Sequence, residues 1–255
     1  ENEIREVIFS NDGVWIGAND GDWNNPDNWC GGIPDEEDNI NVDDSAGNQP
    51  YISSEIADVC AITIDEGASL TMNNNQVLNV HCQFVNNGEF VSGSNNETVV
   101  FHGETEVQSG GDIFNNVMIS DDADIQLNDD MYIKGDILCN GNIQFNEHKL
   151  VLTGSDNQRI ISDNSIVMEN LKIDKTAADN LVILEGFVDI SSNLELSSGI
   201  IQTGEYAIFL TEDATVSGGS SSSFIDGEIA RTGNGSFIYP TGSMESRDLD
   251  GDEAM

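Results

Sequence analysis

Basic residues are scarce in this sequence. The 255-residue chain holds 8 lysines and arginines against 47 aspartates and glutamates, a formal net charge of −39 at pH 7. Nucleic acids and anionic membrane surfaces are repelled by so large a negative charge. The sequence therefore predicts no nucleic-acid partner and no membrane insertion. Because the acidic residues are dispersed through nearly every predicted turn, we interpret them as a hydrated, salt-adapted surface.

Long apolar runs are missing as well. No run reaches the roughly 18 residues that a transmembrane helix needs, so none is predicted. The chain begins at Glu1 with neither an initiator methionine nor a charged segment followed by an apolar one. We therefore expect a processed or excised mature segment.

Cysteine is rare, and the four cysteines form no CxxC pair, which argues against a zinc site. Cys60 and Cys82 lie 22 positions apart, close to one turn of a β-helix. The sequence permits a disulfide between Cys60 and Cys82, a disulfide between Cys30 and Cys60, or buried free thiols, and it leaves these alternatives open.

Helical periodicity is absent, whereas apolar residues alternate over short stretches such as Ile62-Thr-Ile64 and Leu194-Glu-Leu196. Alternation bounded by Gly, Asn, Asp and Ser is typical of β-strands. These strands are short enough for the faces of a coil, and the corners Asn87-Gly88 and Asn140-Gly141 are expected to supply its positive-φ positions. We predict an all-β fold, a right-handed parallel β-helix (β-solenoid), with chained β-sandwich domains as the alternative.

Three similar segments divide the central part of the chain. Gly103 and Gly154 are 51 positions apart, and Gly141 and Gly199 are 58 apart, which indicates units with variable loops. The first 50 residues hold all three tryptophans and are predicted to cap the open end of the coil. The predicted organisation is a cap region at 1–50, a β-helix core at 51–216 with units at about 60–110, 116–165 and 170–216, an exit segment with short strands at 217–242 and an acidic tail at 243–255.

Four blocks of the sequence occur in a characteristic order. They are Val14 to Val42 with its three tryptophans, Cys60 to Leu70, Phe114 to Ile119, and Ser217 to Gly235. This ordered set resembles repetitive, adhesin-like cell-surface proteins of Bacteroidetes. The resemblance implies a β-helix-like core, export by type IX secretion and a role in adhesion or large surface assemblies, and it supplies no catalytic residues. Such proteins usually continue into further β-domains after the match to Thr241-Gly242, so we expect a portion of something larger.

Two sets of aspartates are candidate calcium ligands. The tail Asp248-Leu-Asp250-Gly-Asp252 resembles the first half of a calcium loop, but it lacks the glycine usual at the sixth position and the glutamate at the twelfth. The cap region holds a second candidate set. We expect no cofactor, with Ca²⁺ as the alternative. The cap candidates are Asp20, Asp22 and Asp27.

The sequence shows neither the residue pattern of a polysaccharide lyase nor that of a glycosidase. Among the basic residues a polysaccharide lyase would use, only Lys172 and Lys175 are close in sequence. Paired aspartates such as Asp129-Asp130, which a glycosidase would need, fall at turn signals, where Asp serves the backbone. Aromatic residues make up only 7% and mostly occupy positions predicted to face inward. The sequence therefore predicts a protein that is not an enzyme.

The first hypothesis is a secreted, cell-surface structural or adhesive module whose partners are other surface proteins, copies of itself, or glycans. The alternative is a carbohydrate-binding or polysaccharide-cleaving β-helix, which a groove lined with exposed aromatic residues would favour. A third hypothesis is a subunit of a surface fibre, in which unpaired strands at the ends join copies.

Overall fold

The strands follow the alternation of apolar residues. The computed structural model describes residues 13–53, 56–73, 75–93 and 96–244. In the strand Ile56–Ile64 the side chains of Ala57, Val59, Ile62 and Ile64 are buried. The alternation breaks between Val59 and Ile62, where a register shift turns the strand around a corner. Successive apolar side chains thereby keep facing one interior.

Parallel pairing joins each turn of the chain to the next. Ile40 pairs with Ile62, and Ile62 pairs with Phe84, so that apolar side chains from successive turns stack. From β3 onward, residues paired between parallel strands are 18 to 24 positions apart. The result is a parallel β-solenoid of about nine turns. The structure confirms the predicted all-β parallel β-helix, and the β-sandwich alternative is wrong.

Twenty-one of the strands belong to one continuous hydrogen-bonded sheet that wraps around the coil, and β4, β6 and β8 form a second sheet of three strands. The helical content of the described residues is one 3-10 turn at Pro26–Asn28. The strands are β1 Val14–Trp15, β2 Trp29–Cys30, β3 Asn39–Val42, β4 Tyr51–Ile52, β5 Ile56–Ile64, β6 Ser69–Met72, β7 Val77–Asn86, β8 Glu89–Ser92, β9 Thr98–Phe101, β10 Glu104–Gln108, β11 Ile113–Phe114, β12 Asn116–Ile119, β13 Asp124–Leu127, β14 Met131–Ile133, β15 Ile137–Cys139, β16 Asn142–Gln144, β17 Leu150–Leu152, β18 Gln158–Ile161, β19 Ile166–Asp174, β20 Leu181–Glu185, β21 Val188–Ser198, β22 Ile200–Leu210, β23 Thr215–Gly218 and β24 Ile225–Arg231.

One hydrophobic core runs the length of the coil, and aromatic rings thicken it in the middle turns. Phe84, Phe90, Phe101 and Phe114 are buried there, with ring centroids 5.3 to 6.4 Å apart. Tilted and edge-to-face contacts of this kind add to the free energy gained from burial. The turns are therefore held together by side-chain stacking as well as by backbone pairing.

A tryptophan cluster closes the N-terminal end of the coil. Trp29 contacts Trp15 and Trp23 edge-to-face at centroid distances of 4.8 and 4.7 Å, and all three rings are buried. β1 pairs antiparallel with β2 and parallel with β3. The Nε1 atom of Trp29 donates a hydrogen bond to Trp23 O. The first full turn is thus covered by rings and by a paired strand.

The C-terminal end is covered only in part. Ile225, at the start of β24, pairs with Thr241, and Gly242 N donates to Ile225 O. Within the described residues, no strand pairs with the outer edges of β23 or of Glu228–Arg231. The two ends of the solenoid therefore differ.

The spacings seen in the sequence do not correspond to single turns. Gly103 lies between β9 and β10, and Gly154 lies between β17 and β18. The corner that contains Gly103 stacks on the corner between β12 and β13. The corner that contains Gly154 stacks instead on the corner between β14 and β15. A spacing of 51 positions therefore spans more than two turns and ends at a different corner. The similar segments share strand-and-corner sequence without stacking on one another.

Candidate functional site

A polar groove of about 460 Å³ lies on one face of the solenoid. We call this side of the coil the long face. It is formed by β3, β10, β13 and β16, together with the parts of β5 and β7 that pair in line with them. Outward positions on successive turns stack into columns, since side chains alternate across a strand. The groove is lined by Cys82, Gln83, Glu104, Thr105, Glu106, Asp124, Gln126 and Gln144.

Amide and carboxylate side chains pair across the turns of this groove. Gln83 Nε2 donates to Glu106 Oε2 at 3.1 Å, and Gln144 Nε2 donates to Asp124 Oδ1 at 3.0 Å. Glu104 stands directly beside Asp124 in the register. The groove is rich in hydrogen-bond acceptors and strongly negative, so it suits a ligand that carries many hydroxyl donors.

Farther along the same face, a group of apolar side chains is exposed to solvent. The Phe187 ring contacts the rings of Tyr206 and Phe209 at centroid distances of 5.5 and 6.0 Å. Phe187 is 42% exposed, Phe209 40% and Val167 62%, while Tyr206 is half-buried. We call Val167, Phe187, Tyr206 and Phe209 the aromatic patch.

The strand register brings the patch together from three turns. Val167 pairs with Asp189, and Asp189 pairs with Phe209, so these outward side chains form one column. Asp189 Oδ2 accepts a hydrogen bond from Ser165 Oγ at 2.5 Å. A carboxylate therefore lies within the patch, between an aliphatic side chain and an aromatic ring.

The expectation that the aromatic residues face inward is wrong for this patch. Phe209 lies within the apolar run Ala207 to Leu210, where strand alternation must turn some side chains outward. The spacings from Phe187 to Tyr206 and to Phe209, 19 and 22 positions, match the length of one turn. Those two signals could have located the patch once the turn length was known.

Lys134, Arg159 and Lys175 lie at or beside the same corner of the coil on successive turns, a placement that their sequence spacing does not reveal. Lys175 is buried, and its Nζ donates to Thr153 O at 2.6 Å and to Gln158 Oε1 at 2.5 Å. Gln158 Nε2 in turn donates to Gly135 O, next to Lys134. Burial lowers the pKa of Lys175 to about 8, although Asp156 opposes this shift. Arg159, the third basic residue, bridges Asp136 and Glu185.

Each basic residue of the described chain has an acceptor. The Arg159 guanidinium lies 2.6 Å from Asp136 Oδ2, and its pKa is raised, chiefly by that hydrogen bond. Lys172 lies 3.0 Å from Asp174, a hydrogen bond that raises the pKa of the lysine. Arg159 with Asp136, and Lys172 with Glu195 at 3.4 Å, tie neighbouring turns together. The other acceptors are Ser92 O for Lys134, Glu195 for Lys149, and Glu212 O for Arg231.

Two histidines stack on successive turns. The rings of His81 and His102 are nearly parallel, with centroids 4.5 Å apart. His102 Nδ1 lies 3.8 Å from Asp122 Oδ1, and His102 Nε2 lies 3.4 Å from Asn79 Oδ1. Burial and the neighbouring His81 lower the pKa of His102, while Asp122 opposes the shift. The neutral imidazole is therefore favoured at this position.

Of the aspartates proposed as calcium ligands in the cap, Asp20 and Asp22 accept hydrogen bonds from neighbouring side chains, and Asp27 donates one through its backbone N–H. Asp20 accepts from Asn28 Nδ2 at 2.6 Å, and this bond lowers the pKa of Asp20. Asp22 Oδ1 accepts from Ser53 Oγ at 2.6 Å, and Asp27 N donates to Asn25 Oδ1. Among the described residues, no group of three or more His, Cys, Asp or Glu side chains could hold a metal ion. The tail candidates Asp248, Asp250 and Asp252 lie outside the described residues.

A disulfide links Cys60 on β5 to Cys82 on β7, with Cα atoms 4.9 Å apart. This is one of the two pairings that the sequence permits. Cys30, the other disulfide candidate, is an exposed free thiol. Cys139 is buried, and burial raises the pKa of its thiol to about 12. The covalent link thus joins two neighbouring turns beside the polar groove.

Carboxylates at the predicted turns accept hydrogen bonds from the backbone and from neighbouring side chains. Asp129 accepts from Ser109 N and Gly110 N at 2.8 and 2.7 Å. Asp43 accepts from both N and Oγ of Ser45, and this lowers the pKa of Asp43. These aspartates stabilise corners, as Asp does in many turns.

Helices long and apolar enough to cross a membrane are absent from the described residues. No curated protein matches the chain, and no solved structure matches it. Residues 14–133 match a family model described as a domain of unknown function (DUF8693). The matched span runs from the tryptophan cap to β14. Over that span the chain is similar to a family that carries no assigned activity.

Proposed function

We propose that this chain is a non-catalytic extracellular structural and adhesive module that joins a larger surface assembly through its C-terminal end. The observation that carries the proposal is the difference between the two ends of the solenoid. A tryptophan cluster covers one end, and at the other end the outer edges of β23 and of Glu228–Arg231 on β24 are without strand partners among the described residues.

The C-terminal edge has the properties of a docking surface. An open strand edge carries a row of backbone N–H and C=O groups that pair readily with another chain. Ile238 lies in the segment that covers the start of β24, and it is 89% exposed. Its neighbours Phe237 and Tyr239 contact each other at a centroid distance of 4.9 Å. Apolar side chains and unpaired backbone groups thus occur at the same end.

The closed N-terminal end restricts how copies can join. A head-to-tail fibre needs both ends open, whereas two open ends can meet around a two-fold axis. We therefore propose a dimer formed end to end, with other surface proteins as further partners. Because each copy carries a net charge of −39, association strengthens as salt screens the repulsion.

The disulfide and the basic residues also support this proposal. Disulfides persist mainly in oxidising compartments, which favours an extracellular location for Cys60–Cys82. The six described basic residues are bound to acceptors, as expected of side chains that brace a scaffold.

Light scattering after gel filtration tests the proposal. The wild-type protein is expected to shift from the monomer mass toward twice that mass as concentration and salt rise. Ile238→Asp places a charge at the open end and should keep the protein monomeric. The matched control is Ile113→Asp, since Ile113 is 41% exposed on β11, away from the ends. A wild-type protein that stays monomeric at high salt and concentration contradicts the proposal.

A further inference from the structure

We propose that the aromatic patch, together with Asp189, is a binding site for a neutral, hydroxyl-rich glycan. This inference rests on the proposed adhesive function, because it names a ligand through which the module would adhere. The site is built from Phe187 and Asp189 on one turn and from Tyr206 and Phe209 on the next, with Val167 on the turn before them.

The rings supply an apolar surface of the size of a sugar. One face of a pyranose ring presents several C–H groups, which pack against aromatic side chains. Phe187 and Phe209 are inclined by 37° to each other with centroids 6.0 Å apart, and Tyr206 stands edge-on at 82° to Phe187. Such exposed rings lose little conformational entropy when a ligand covers them, because they already pack against one another.

The carboxylate supplies orientation. Asp189 is the register partner of both Val167 and Phe209, so its side chain points out of the face on which the rings are exposed. One of its oxygens accepts from Ser165 Oγ, and a carboxylate has further acceptor sites. A sugar resting on the rings therefore meets an acceptor for its hydroxyl groups.

The charge and the size of the patch favour a neutral glycan over an anionic glycan or a second copy of this chain. Asp189 lies within the patch, Glu205 directly precedes Tyr206, and the whole chain carries a net charge of −39, so the patch lies in a negative surface. Anionic glycans and a second copy of this acidic chain are repelled. A stable protein interface also removes about 800 Å² from each partner, far more than four side chains offer. A neutral glycan meets neither obstacle.

The polar groove extends the site along the long face. Between the groove and the patch lies a cleft of about 90 Å³, which is lined in part by Asn142, Ile143 and Val167. Asn142 is the register partner of Asp124 in the groove. A glycan of several residues bound at the patch can therefore continue over the amide and carboxylate columns, which offer acceptors at each turn.

Affinity electrophoresis and titration calorimetry with defined polysaccharides test the inference. The probes are laminarin, xyloglucan, galactomannan and dextran as neutral glycans, with alginate as the anionic one. We expect at least one neutral glycan to retard the wild-type protein and alginate to have no effect. Phe209→Ala should weaken binding about tenfold or more, and Phe209→Tyr, which keeps the ring, should preserve it.

Matched variants separate loss of the site from loss of the fold. Tyr51→Ala removes an aromatic side chain that is 36% exposed in the first turns, and it should bind as the wild type does. Asp189→Ala should weaken binding more than Asp189→Asn, which keeps an acceptor oxygen. Thermal unfolding of each variant establishes that it is folded.

Two results overturn the inference: none of the four neutral glycans binds the wild type, or folded Phe209→Ala binds as tightly as the wild type. If the protein binds a glycan but does not self-associate, the proposed end-to-end dimer is rejected and the glycan site stands. If it self-associates but binds no glycan, the glycan site is rejected and the dimer stands.

Discussion

Gly88 lies directly against the carbonyl oxygen of Asp65 on the preceding turn. A Cβ atom at Gly88 would be 2.3 Å from Asp65 O and 2.4 Å from Ala68 O. Gly141 repeats this relationship with Ser120 O and Ala123 O at 2.3 and 2.4 Å. Neither glycine has a positive φ, so the expectation that these corners need positive-φ residues is wrong for both. They need glycine because the turns approach so closely there.

Alanine at either corner should therefore destabilise the coil. We expect Gly88→Ala and Gly141→Ala each to lower the free energy of unfolding by about 1–3 kcal/mol, because the backbone must move to admit the methyl group. Urea denaturation followed by circular dichroism measures the change. Gly47→Ala is the control, since a Cβ there meets only Gly17 O at 3.6 Å. Equal stability of Gly88→Ala and Gly47→Ala would show that the corner tolerates the methyl group.

The disulfide should make a measurable contribution to stability. Cys60 and Cys82 close a loop with a sequence separation of 22, for which the loss of chain entropy in the unfolded state predicts about 3 kcal/mol. The double variant Cys60→Ser/Cys82→Ser should unfold at a lower urea concentration than the wild type. The exposed thiol of Cys30 provides the control, because Cys30→Ser should leave the midpoint unchanged. An unchanged midpoint for the double variant contradicts this prediction.

His102 should make the fold sensitive to mild acid. Its pKa is lowered from the usual 6.5, so on acidification the unfolded chain takes up this proton more readily than the folded protein. The contribution of His102 to the free energy of unfolding therefore decreases as pH falls below about 6.5. We expect His102→Gln to lose less stability than the wild type between pH 7 and pH 5, as measured by denaturant unfolding. Identical pH dependence in the two proteins would be the contrary result.

Lys175 should make the free energy of unfolding depend on pH in the alkaline range. Its pKa is lowered from 10.5 to about 8, so the unfolded chain holds this proton over a range where the folded protein has released it. The unfavourable contribution of the buried ammonium is complete below pH 8 and is relieved as pH rises toward 10.5. Relative to Lys175→Met, the wild type should gain stability between pH 7 and pH 10. A constant difference between the two proteins over that range would contradict the assignment.

The alternation of apolar residues was sufficient to predict the strands and the solenoid, because burial on one side of each strand leaves a period-two pattern. It could not predict which residues stack, since from β3 onward the turn length varies between 18 and 24 positions and corners shift the register. His81 and His102 are therefore neighbours that no local motif reveals. The aromatic patch was missed for the same reason.

The chemistry of the face follows from that register. Gln83, Glu106, Gln126 and Gln144 look like unrelated surface residues in the sequence, yet pairing places them in one column. Dispersed charge could be recognised from composition alone, whereas the difference between the two ends depends on which strand edges are paired. Function was the least predictable part because it depends on these long-range relationships.

Hydrogen–deuterium exchange at increasing protein concentration tests the proposed assembly most directly. We predict that amides in Glu228–Arg231 on β24 become protected as concentration rises at high salt, while exchange of those around Phe84 in the middle turns does not change. Ile238→Asp should abolish the added protection. Exchange in β24 that is independent of concentration would contradict the claim that the module joins others through its C-terminal end.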